Sequence, residues 1–419
     1  MKSVSMVLFA GVVGCASFQP LSAADAVTYK EKVLWSFGNG TDGQYPAAGL
    51  LDANGTFYGT TAGGGVYGDG TVFALDPDTD AETVLYFFCI KGEFCLDGSF
   101  PGSNLISVKG NLYGTTEAGG NCQGGSGGGT VFSLDPATGK EKVHYSFCGT
   151  SGGFLPIAGL LDVEGTFYGT TDVGGAHDFG TAFAFNRKTR TETVLYSFCS
   201  LQKAPEQCLD GQNPAPALIN VNGTLYGTTV AGGADYTGCD NAGCGTVYSL
   251  DPNTGAETIL HSFTRSPDGR SPEAGLIEVN GILYGTTFWG GGTGCTIGNG
   301  CGTVFSLDLS TGTETVLYTF CSQTNCADGA EPAASLIAVN GTLYGTTQTG
   351  GAGKDGTVFS IDPTTGAETV LYSFCSQLNC ADGANPGASL IAMNGKLYGT
   401  TAAGGAYRYG TVFELKQKR

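Results

Sequence analysis

The sequence predicts an all-β protein folded as a seven-bladed β-propeller, and three observations carry that prediction. The phrase Tyr-Gly-Thr-Thr occurs seven times, with its tyrosine at positions 58, 113, 168, 226, 284, 344 and 398. Each repeat holds four apolar runs of strand length, and no segment has a convincing helical period. Repeats of about 40–60 residues that each form a four-stranded meander are typical of propeller blades.

The elements of one unit are visible in order in residues 334–374. Strand a, Ser-Leu-Ile-Ala-Val, leads through Asn340-Gly341, a type I′ hairpin signal, into strand b, Thr-Leu-Tyr-Gly-Thr-Thr. A glycine-rich stretch precedes strand c. The segment Asp362-Pro-Thr-Thr-Gly366 then forms a turn into strand d, because Pro presets φ and Gly supplies a positive φ. The runs are nearly continuously apolar, so we expect sheets buried on both faces.

The two ends of the chain predict a closed ring. A d-type run at residues 33–37 precedes the first full unit, and the last unit stops after strand c at residues 410–413. Seven strands of each type are obtained only if the N-terminal strand completes the last blade. We therefore assign residues 31–419 to one propeller domain, although 419 residues alone would suggest two or three domains.

Composition and charge exclude several classes of partner. Basic residues number 19 against 37 acidic ones, a net charge of −18, which argues against nucleic acid and against an anionic membrane surface. Three histidines are too few for an extensive histidine-based metal or catalytic site. No segment after the N-terminal region is long and apolar enough for a transmembrane helix.

The N-terminus predicts export. Residues 1–24 have a basic start at Lys2, an apolar run over residues 4–14 and a small-residue cleavage site at 22–24, followed by a short linker at 25–30. A second interpretation is a lipoprotein signal at residues 12–15, in which Cys15 is lipidated. We expect a secreted, periplasmic or cell-surface protein, with lipid anchoring through Cys15 left open.

The remaining fourteen cysteines predict seven disulfides in an oxidising compartment. Metal binding is the alternative, but the close pairs lack the spacing of zinc knuckles and no histidine cluster accompanies them. The predicted pairs all lie in the bc and da loops: Cys89/Cys95, Cys122/Cys148, Cys199/Cys208, Cys239/Cys244, Cys295/Cys301, Cys321/Cys326 and Cys375/Cys380.

The bc and da loops share one rim of the predicted propeller, and they are long and variable while the ab and cd turns are short. A stiff, variable rim on a regular scaffold is where binding sites usually lie. Aromatic side chains in these loops could stack on sugars or anchor a protein partner, or could instead fold back over the blades. The candidates for ligand binding are Tyr67, Phe179, Tyr236, Trp289, Tyr407 and Tyr409.

An Asp-Gly-x-x-Pro signature precedes strand a in six units. Its carboxylates could bind Ca²⁺, which prefers oxygen ligands, or could each cap an Asx-turn before the proline. We expect no other cofactor. The candidate metal ligands are Asp42, Asp97, Asp210, Asp268, Asp328 and Asp382.

The repeated pattern LYGTT…GG…GTVFSLDP-TG-ETVLYSF resembles the bacterial GloVer tandem-repeat family, the choice-of-anchor repeat proteins, over residues 31–419. A looser similarity links the units to kelch-type blades, because strand d carries mostly tyrosine where kelch has tryptophan. The GloVer resemblance implies export and attachment to the cell, and it brings no catalytic residues.

These observations favour an exported, monomeric and non-catalytic binding or scaffold protein that holds an extracellular glycan or protein partner on its long-loop rim. The H-E-x-x-H and P-loop motifs are absent from the sequence, and no strand-to-helix G-x-S-x-G elbow is predicted because no segment has a convincing helical period. Two alternatives remain. One is an extracellular polysaccharide-active enzyme with acidic residues at the propeller mouth, and the other is a purely structural cell-surface repeat protein.

Overall fold

A computed structural model describes residues 28–418 except 123–124, 205–206, 215–216, 240 and 293–299. The described chain forms seven four-stranded antiparallel sheets in a ring, which confirms the predicted seven-bladed propeller. The predicted export signal, its cleavage site and Cys15 lie outside the described residues. No helix within the described ranges is long and apolar enough to cross a membrane.

Blades 1 to 6 contribute strands a to d in chain order, and blade 7 takes its strand d from the N-terminal end. Blade 1 is Leu51–Ala53, Thr56–Thr61, Thr71–Asp76 and Ala81–Phe87; blade 2 is Ile106–Val108, Asn111–Thr116, Thr130–Asp135 and Lys140–Ser146; blade 3 is Leu161–Val163, Thr166–Thr171, Thr181–Asn186 and Thr191–Ser197; blade 4 is Ile219–Val221, Thr224–Thr229, Thr246–Leu250 and Glu257–Ser262. Blade 5 is Ile277–Val279, Ile282–Thr287, Thr303–Asp308 and Thr313–Thr319; blade 6 is Ile337–Val339, Thr342–Thr347, Thr357–Ile361 and Glu368–Ser373; blade 7 is Ile391–Met393, Lys396–Thr401, Thr411–Gln417 and Tyr29–Ser36.

Small elements decorate the bc and da loops. Short strand pairs join Gly43–Gln44 to Gly63–Gly64, Asn121–Cys122 to Gly125–Ser126, and Gln202–Ala204 to Gln207–Cys208. Single 3₁₀ turns occur at Thr150–Gly152, Thr324–Cys326 and Leu378–Cys380.

The N-terminal strand closes the ring as predicted. Tyr29–Ser36 pairs antiparallel with Thr411–Gln417 and is therefore strand d of blade 7. The Lys418 N–H donates to the Thr28 carbonyl at 2.8 Å, so the pairing extends to the last described residue. The two ends of the described chain consequently lie side by side in one sheet.

Aromatic rings fill every junction between blades. A phenylalanine just after strand d meets the phenylalanine or tyrosine of strand c in the next blade, edge to face, with ring centroids 5.0–5.3 Å apart. Such pairs contribute about 0.5–1.5 kcal/mol each beyond their buried area. The seven pairs are Phe37–Phe73, Phe88–Phe132, Phe147–Phe183, Phe198–Tyr248, Phe263–Phe305, Phe320–Phe359 and Phe374–Phe413.

The threonines of Tyr-Gly-Thr-Thr are structural. The second threonine bonds the first threonine of strand c within its own blade, as in Thr61 with Thr71 at 2.9 Å between hydroxyl oxygens. The first threonine reaches the next blade, as when the Thr60 hydroxyl donates to the Ser103 carbonyl at 3.2 Å. Buried hydroxyls need such partners, which explains the repeat of this pair without invoking a ligand.

Candidate functional site

Six disulfides stiffen the rim formed by the bc and da loops. They confirm six of the predicted pairs, whereas Cys295, the predicted partner of Cys301, lies outside the described residues. Bridges in an oxidising compartment are typical of extracellular proteins. The six are Cys89–Cys95, Cys122–Cys148, Cys199–Cys208, Cys239–Cys244, Cys321–Cys326 and Cys375–Cys380.

The most exposed large apolar side chains of the described chain all lie on this same rim. Eight of these ten occupy four neighbouring loops, residues 38–50, 62–70, 88–104 and 402–410, which we call the blade-1 rim. The ten are Tyr45, Val66, Tyr67, Ile90, Phe94, Leu96, Phe100, Leu201, Leu378 and Tyr407.

Main-chain hydrogen bonds join the loops of the blade-1 rim. The Tyr45 N–H donates to the carbonyl of Tyr409 at 2.9 Å, and the Ala62 N–H donates to the carbonyl of Tyr45 at 3.1 Å. The Phe100 N–H donates to the carbonyl of Asp69 at 2.9 Å. Side chains from separate blades are thereby held at defined positions on one surface.

Four tyrosines lie on the blade-1 rim. Tyr45 and Tyr409 meet edge to face with centroids 5.5 Å apart, and Tyr409 also packs against the core. A Cβ built at Gly38 would lie 2.4 Å from Cδ2 of Tyr409, so the absence of a side chain there makes room for the Tyr409 ring. Tyr407 is 45% exposed and Tyr67 is 57% exposed, which leaves both rings open to a ligand.

The six aromatic side chains predicted to bind a ligand do not form one group. Tyr67, Tyr407 and Tyr409 belong to the blade-1 rim. Phe179 and Trp289 are half-buried in the bc loops of blades 3 and 5. Trp289 lies edge to face against Phe288 at 4.8 Å, and Tyr236 is buried at 6% exposure. A role for these three in binding stays a prediction.

Tyr45 and Phe100 are rim residues that sequence reasoning missed. Each precedes the proline of an Asp-Gly-x-x-Pro signature and adopts a positive φ, 59° and 56°. The other units place in this slot Leu155, Asn213, Ser271, Glu331 and Asn385. Asparagine tolerates that backbone far better than an aromatic residue. Comparison of the repeats at this single position would have drawn attention to both side chains.

The six predicted metal-binding aspartates lie at six separate blade junctions. Each is buried, and Asp97 shows the common pattern of contacts. Its carboxylate accepts the Tyr86 hydroxyl at 2.8 Å and the N–H groups of Ile90 at 3.2 Å and Lys91 at 3.1 Å. These contacts tie each carboxylate to the loop that precedes it, which differs from the Asx-turn expected before the proline, where the donor N–H lies two residues after the aspartate. Calcium binding at these residues stays a prediction.

A second ring of carboxyl groups was not recognised in the sequence. Near the start of strand d, every blade has a glutamate whose Oε1 atom is inaccessible to solvent and has no hydrogen-bond partner. At six junctions the aspartate follows strand d of one blade, and the glutamate belongs to strand d of the next blade. The sequence signal that could have revealed these residues is a glutamate that recurs in an otherwise apolar strand. The seven are Glu31, Glu82, Glu141, Glu192, Glu257, Glu314 and Glu368.

Burial raises the pKa of these glutamates. It raises the pKa of Glu82 and of Glu368 to about 7, with added repulsion from Asp42 and from Asp328 respectively. Burial and the charge of Asp210 raise the pKa of Glu257 to about 8. A carboxyl group held away from water and beside a second carboxylate retains its proton to a higher pH.

We expect stability to fall as pH rises from 5 to 8, and Glu368→Gln to reduce that fall. The folded state binds more protons than the unfolded state between the unfolded pKa near 4.5 and the folded pKa of about 7, so folding loses free energy across this window. The glutamine should recover about 1 kcal/mol at pH 8 after solvent screening is allowed for. Urea denaturation at pH 5 and 8 measures this difference.

Glu93→Gln is the matched control because Glu93 is exposed on a loop. The aspartates of the exposed turns should not contribute to the pH dependence between pH 5 and 8. Loop N–H groups lower the pKa of residues such as Asp362, so these carboxylates remain ionised above pH 5. An equal pH dependence in wild type and Glu368→Gln would contradict the assigned role of Glu368.

Acidic groups also surround the mouth of the central channel. The channel is lined mainly by Gly, Ala and Ser residues before each strand a, with Glu273 among them. Nearby, burial raises the pKa of Glu117, with added repulsion from Asp172, and burial also raises the pKa of Asp172. A carboxyl group whose pKa is raised by burial can act as a general acid.

Fold and rim together define a disulfide-stapled repeat propeller with an aromatic surface on its long loops. The sequence profile of the Gloeobacter/Verrucomicrobia repeat matches residues 21–239, 125–337 and 237–419. The chain belongs to the Gloeobacter/Verrucomicrobia repeat family, which confirms the resemblance drawn from the repeats. No curated protein matches the chain.

Solved structures share the fold at low sequence identity. The extracellular domain of BT4673 from B. thetaiotaomicron matches with a TM-score of 0.55 and 10% identity over 92% of this chain and 40% of that one. An oligogalacturonate lyase in complex with manganese matches with a TM-score of 0.48 and 10% identity over 90% of each chain. A europium-containing methanol dehydrogenase matches with a TM-score of 0.47 and 12% identity over 92% and 93% of the two chains. The similarity to the BT4673 domain concerns the propeller fold alone.

Proposed function

We propose that this protein is an exported, monomeric binding or scaffold propeller that holds an extracellular glycan or protein partner on the blade-1 rim. The observation that carries the proposal is the concentration of exposed aromatic side chains there, Tyr45, Tyr67 and Tyr407 among them, on loops joined by main-chain hydrogen bonds. Secretion, the periplasm and the cell surface, with or without a lipid on Cys15, are the compartments that fit.

The physical argument is one of desolvation on a stiff surface. Exposed aromatic rings release ordered water when they stack on a sugar face or enter a protein interface. Loops that are already fixed lose little conformational entropy on binding, so more of the contact energy appears as affinity.

Removal of both open tyrosine rings should abolish most of the affinity. We expect the variant Tyr67→Ala/Tyr407→Ala to bind at least tenfold more weakly than wild type, because two stacking faces are lost. The measurement is a glycan and polysaccharide array, followed by titration of any hit. Where no glycan binds, the same proteins are tested on cell-envelope preparations treated with protease or with glycosidases.

Leu378→Ala is the control, since Leu378 is an 87% exposed rim side chain outside the blade-1 rim. It should bind as wild type does. Affinity that is unchanged in the double variant would remove the blade-1 rim from the proposal. Absence of binding both on the glycan array and on the cell-envelope preparations would favour the purely structural repeat protein.

A second candidate function is a polysaccharide-active enzyme, favoured by the acidic groups at the channel mouth. Glu117 and Asp172 would be the acid–base pair of such an enzyme, because burial raises the pKa of both. Glu273 and Glu331 lie near the same opening. Release of reducing ends from acidic and neutral polysaccharides, lost in Glu117→Gln, tests this alternative.

A further inference from the structure

One blade junction departs from the chemistry of the other six. Five junctions place a tyrosine at the end of strand d and one places Trp35 there, but the junction of blades 4 and 5 has His261. The His261 Nε2 atom lies 2.9 Å from Oδ2 of Asp268. Glu314 of blade 5 completes the group, and one ligand atom from each of the three side chains lies within 4.8 Å of the others.

We propose that His261, Asp268 and Glu314 form a binding site for a divalent transition metal ion of the zinc class. One imidazole nitrogen and two carboxylates are donors that Zn²⁺ accepts. A tetrahedral ion with bonds of about 2 Å holds its ligand atoms roughly 3.3 Å apart, so small side-chain rotations close the observed group around an ion. The site is independent of the blade-1 rim.

Two features of the junction prepare it for a metal. Oε1 of Glu314 is buried and has no hydrogen-bond partner, as in the strand-d glutamates of the other blades, so this carboxylate keeps an oxygen available to bind an ion. The N–H and hydroxyl of Thr264 donate to Oδ1 of Asp268 at 3.2 and 2.7 Å, which fixes this carboxylate and leaves Oδ2 facing His261. Supporting hydrogen bonds of this kind orient metal ligands in proteins.

The other junctions show why histidine makes the difference. At the junction of blades 5 and 6, the Tyr318 hydroxyl donates to Asp328 at 2.8 Å. Burial raises the pKa of Tyr318, so its hydroxyl stays protonated and is a poor metal ligand. A neutral imidazole in the same place presents a lone pair instead. The mixed nitrogen and oxygen set favours zinc over calcium, which prefers oxygen ligands alone.

Three protein ligands leave a fourth coordination position for water or for a donor from a partner. The His261 side chain is 21% exposed, which gives an ion a route from solvent. The competing explanation is an ion pair in which a protonated His261 lies between two carboxylates. The two explanations differ in whether the folded protein takes up a stoichiometric ion.

Titration with Zn²⁺ in competition with a chromophoric chelator tests the site on the intact, disulfide-bonded protein. We expect one ion per chain and a dissociation constant at least twentyfold weaker in His261→Tyr. Tyrosine is the residue of the repeat at this position, so that variant should retain the wild-type circular dichroism spectrum and melting temperature in the absence of metal. Glu314→Gln should weaken binding as well.

The neighbouring junction provides a gain-of-function test. Tyr318→His places an imidazole beside Asp328 and Glu368 and is expected to raise the stoichiometry from one ion to two. Absence of Zn²⁺ uptake by wild type at micromolar concentrations, or equal uptake by His261→Tyr, would overturn the proposal and leave the ion pair as the explanation. Uptake of Ca²⁺ with no uptake of Zn²⁺ would overturn it equally.

Discussion

Deletion of residues 28–36 should lower the melting temperature more than any single substitution in the chain. The deletion removes strand d of blade 7 and its pairing with Thr411–Gln417. It also removes Leu34, which is 5% exposed and packs against Phe57 and Phe73 in the core between blades 7 and 1. The strand left behind would expose an unpaired edge, which promotes aggregation. Thermal unfolding followed by circular dichroism measures the loss.

A permuted chain separates loss of the strand from loss of its sequence position. In this control the protein begins at residue 37, and residues 29–36 follow Gln417 through an added Asp-Pro-Thr-Thr-Gly, the turn found at residues 362–366. Blade 7 then has the same cd turn as its neighbours and should melt close to wild type. An unchanged melting temperature after the simple deletion would contradict ring closure by this strand.

The regular part of the fold could be predicted because its causes are local. Asn340-Gly341 joins Ile337–Val339 to Thr342–Thr347 as the hairpin signal requires, with Asn340 at φ 51° and Gly341 at φ 82°. Five of the seven ab turns carry Asn-Gly, and Lys109-Gly110 and Glu164-Gly165 adopt the same positive φ angles in the other two, which leaves few ways to arrange the strands. Closure followed from counting strands, which needs no knowledge of side-chain contacts.

The exposure of the rim aromatics could not be predicted because the loop path decides it. Tyr67 lies in a bc loop without a disulfide and is 57% exposed. Tyr236 lies in a bc loop that holds the Cys239–Cys244 disulfide, and it is buried at 6% exposure. Both are aromatic residues in glycine-rich segments, and positive-φ residues determine the path of each loop. A pattern of residue types does not specify that path.

The pairing of aspartate and glutamate at the junctions escaped prediction for a different reason. Asp268 and Glu314 belong to different blades, and only stacking of blade 4 on blade 5 brings them together. A repeat pattern describes what each unit contains, but contacts between units depend on how the blades pack. His144 shows the same limit. It replaces a leucine of strand d, its ring lies 6.5 Å from the ring of Phe185 in the next blade, and burial lowers its pKa to about 4.

Gly345→Ala should destabilise the protein by about 1–3 kcal/mol, the usual cost of adding a methyl group to a packed core. Gly345 is the glycine of Tyr-Gly-Thr-Thr in blade 6 and pairs with Phe359 of strand c. A Cβ at this position would lie 2.6 Å from Cζ of Phe359 and 2.8 Å from Cδ2 of Leu336. Gly345 has no positive φ, so the expected loss is steric. Urea denaturation with the disulfides intact measures it.

Substitution of Phe359, whose ring covers Gly345, tests this explanation. Phe359→Leu alone should also destabilise, because it removes the edge-to-face contact with Phe320 at 5.0 Å. In the double variant Gly345→Ala/Phe359→Leu, the smaller side chain leaves space for the methyl group. The combined loss should therefore be smaller than the sum of the single losses by about 1 kcal/mol or more, as expected for residues in contact. Strict additivity would show that the clash with Phe359 is not the reason for glycine. The same geometry holds at Gly59, Gly169 and Gly399, where a Cβ would lie 2.5, 2.6 and 2.7 Å from the facing ring, so one cycle tests a packing rule of the repeat.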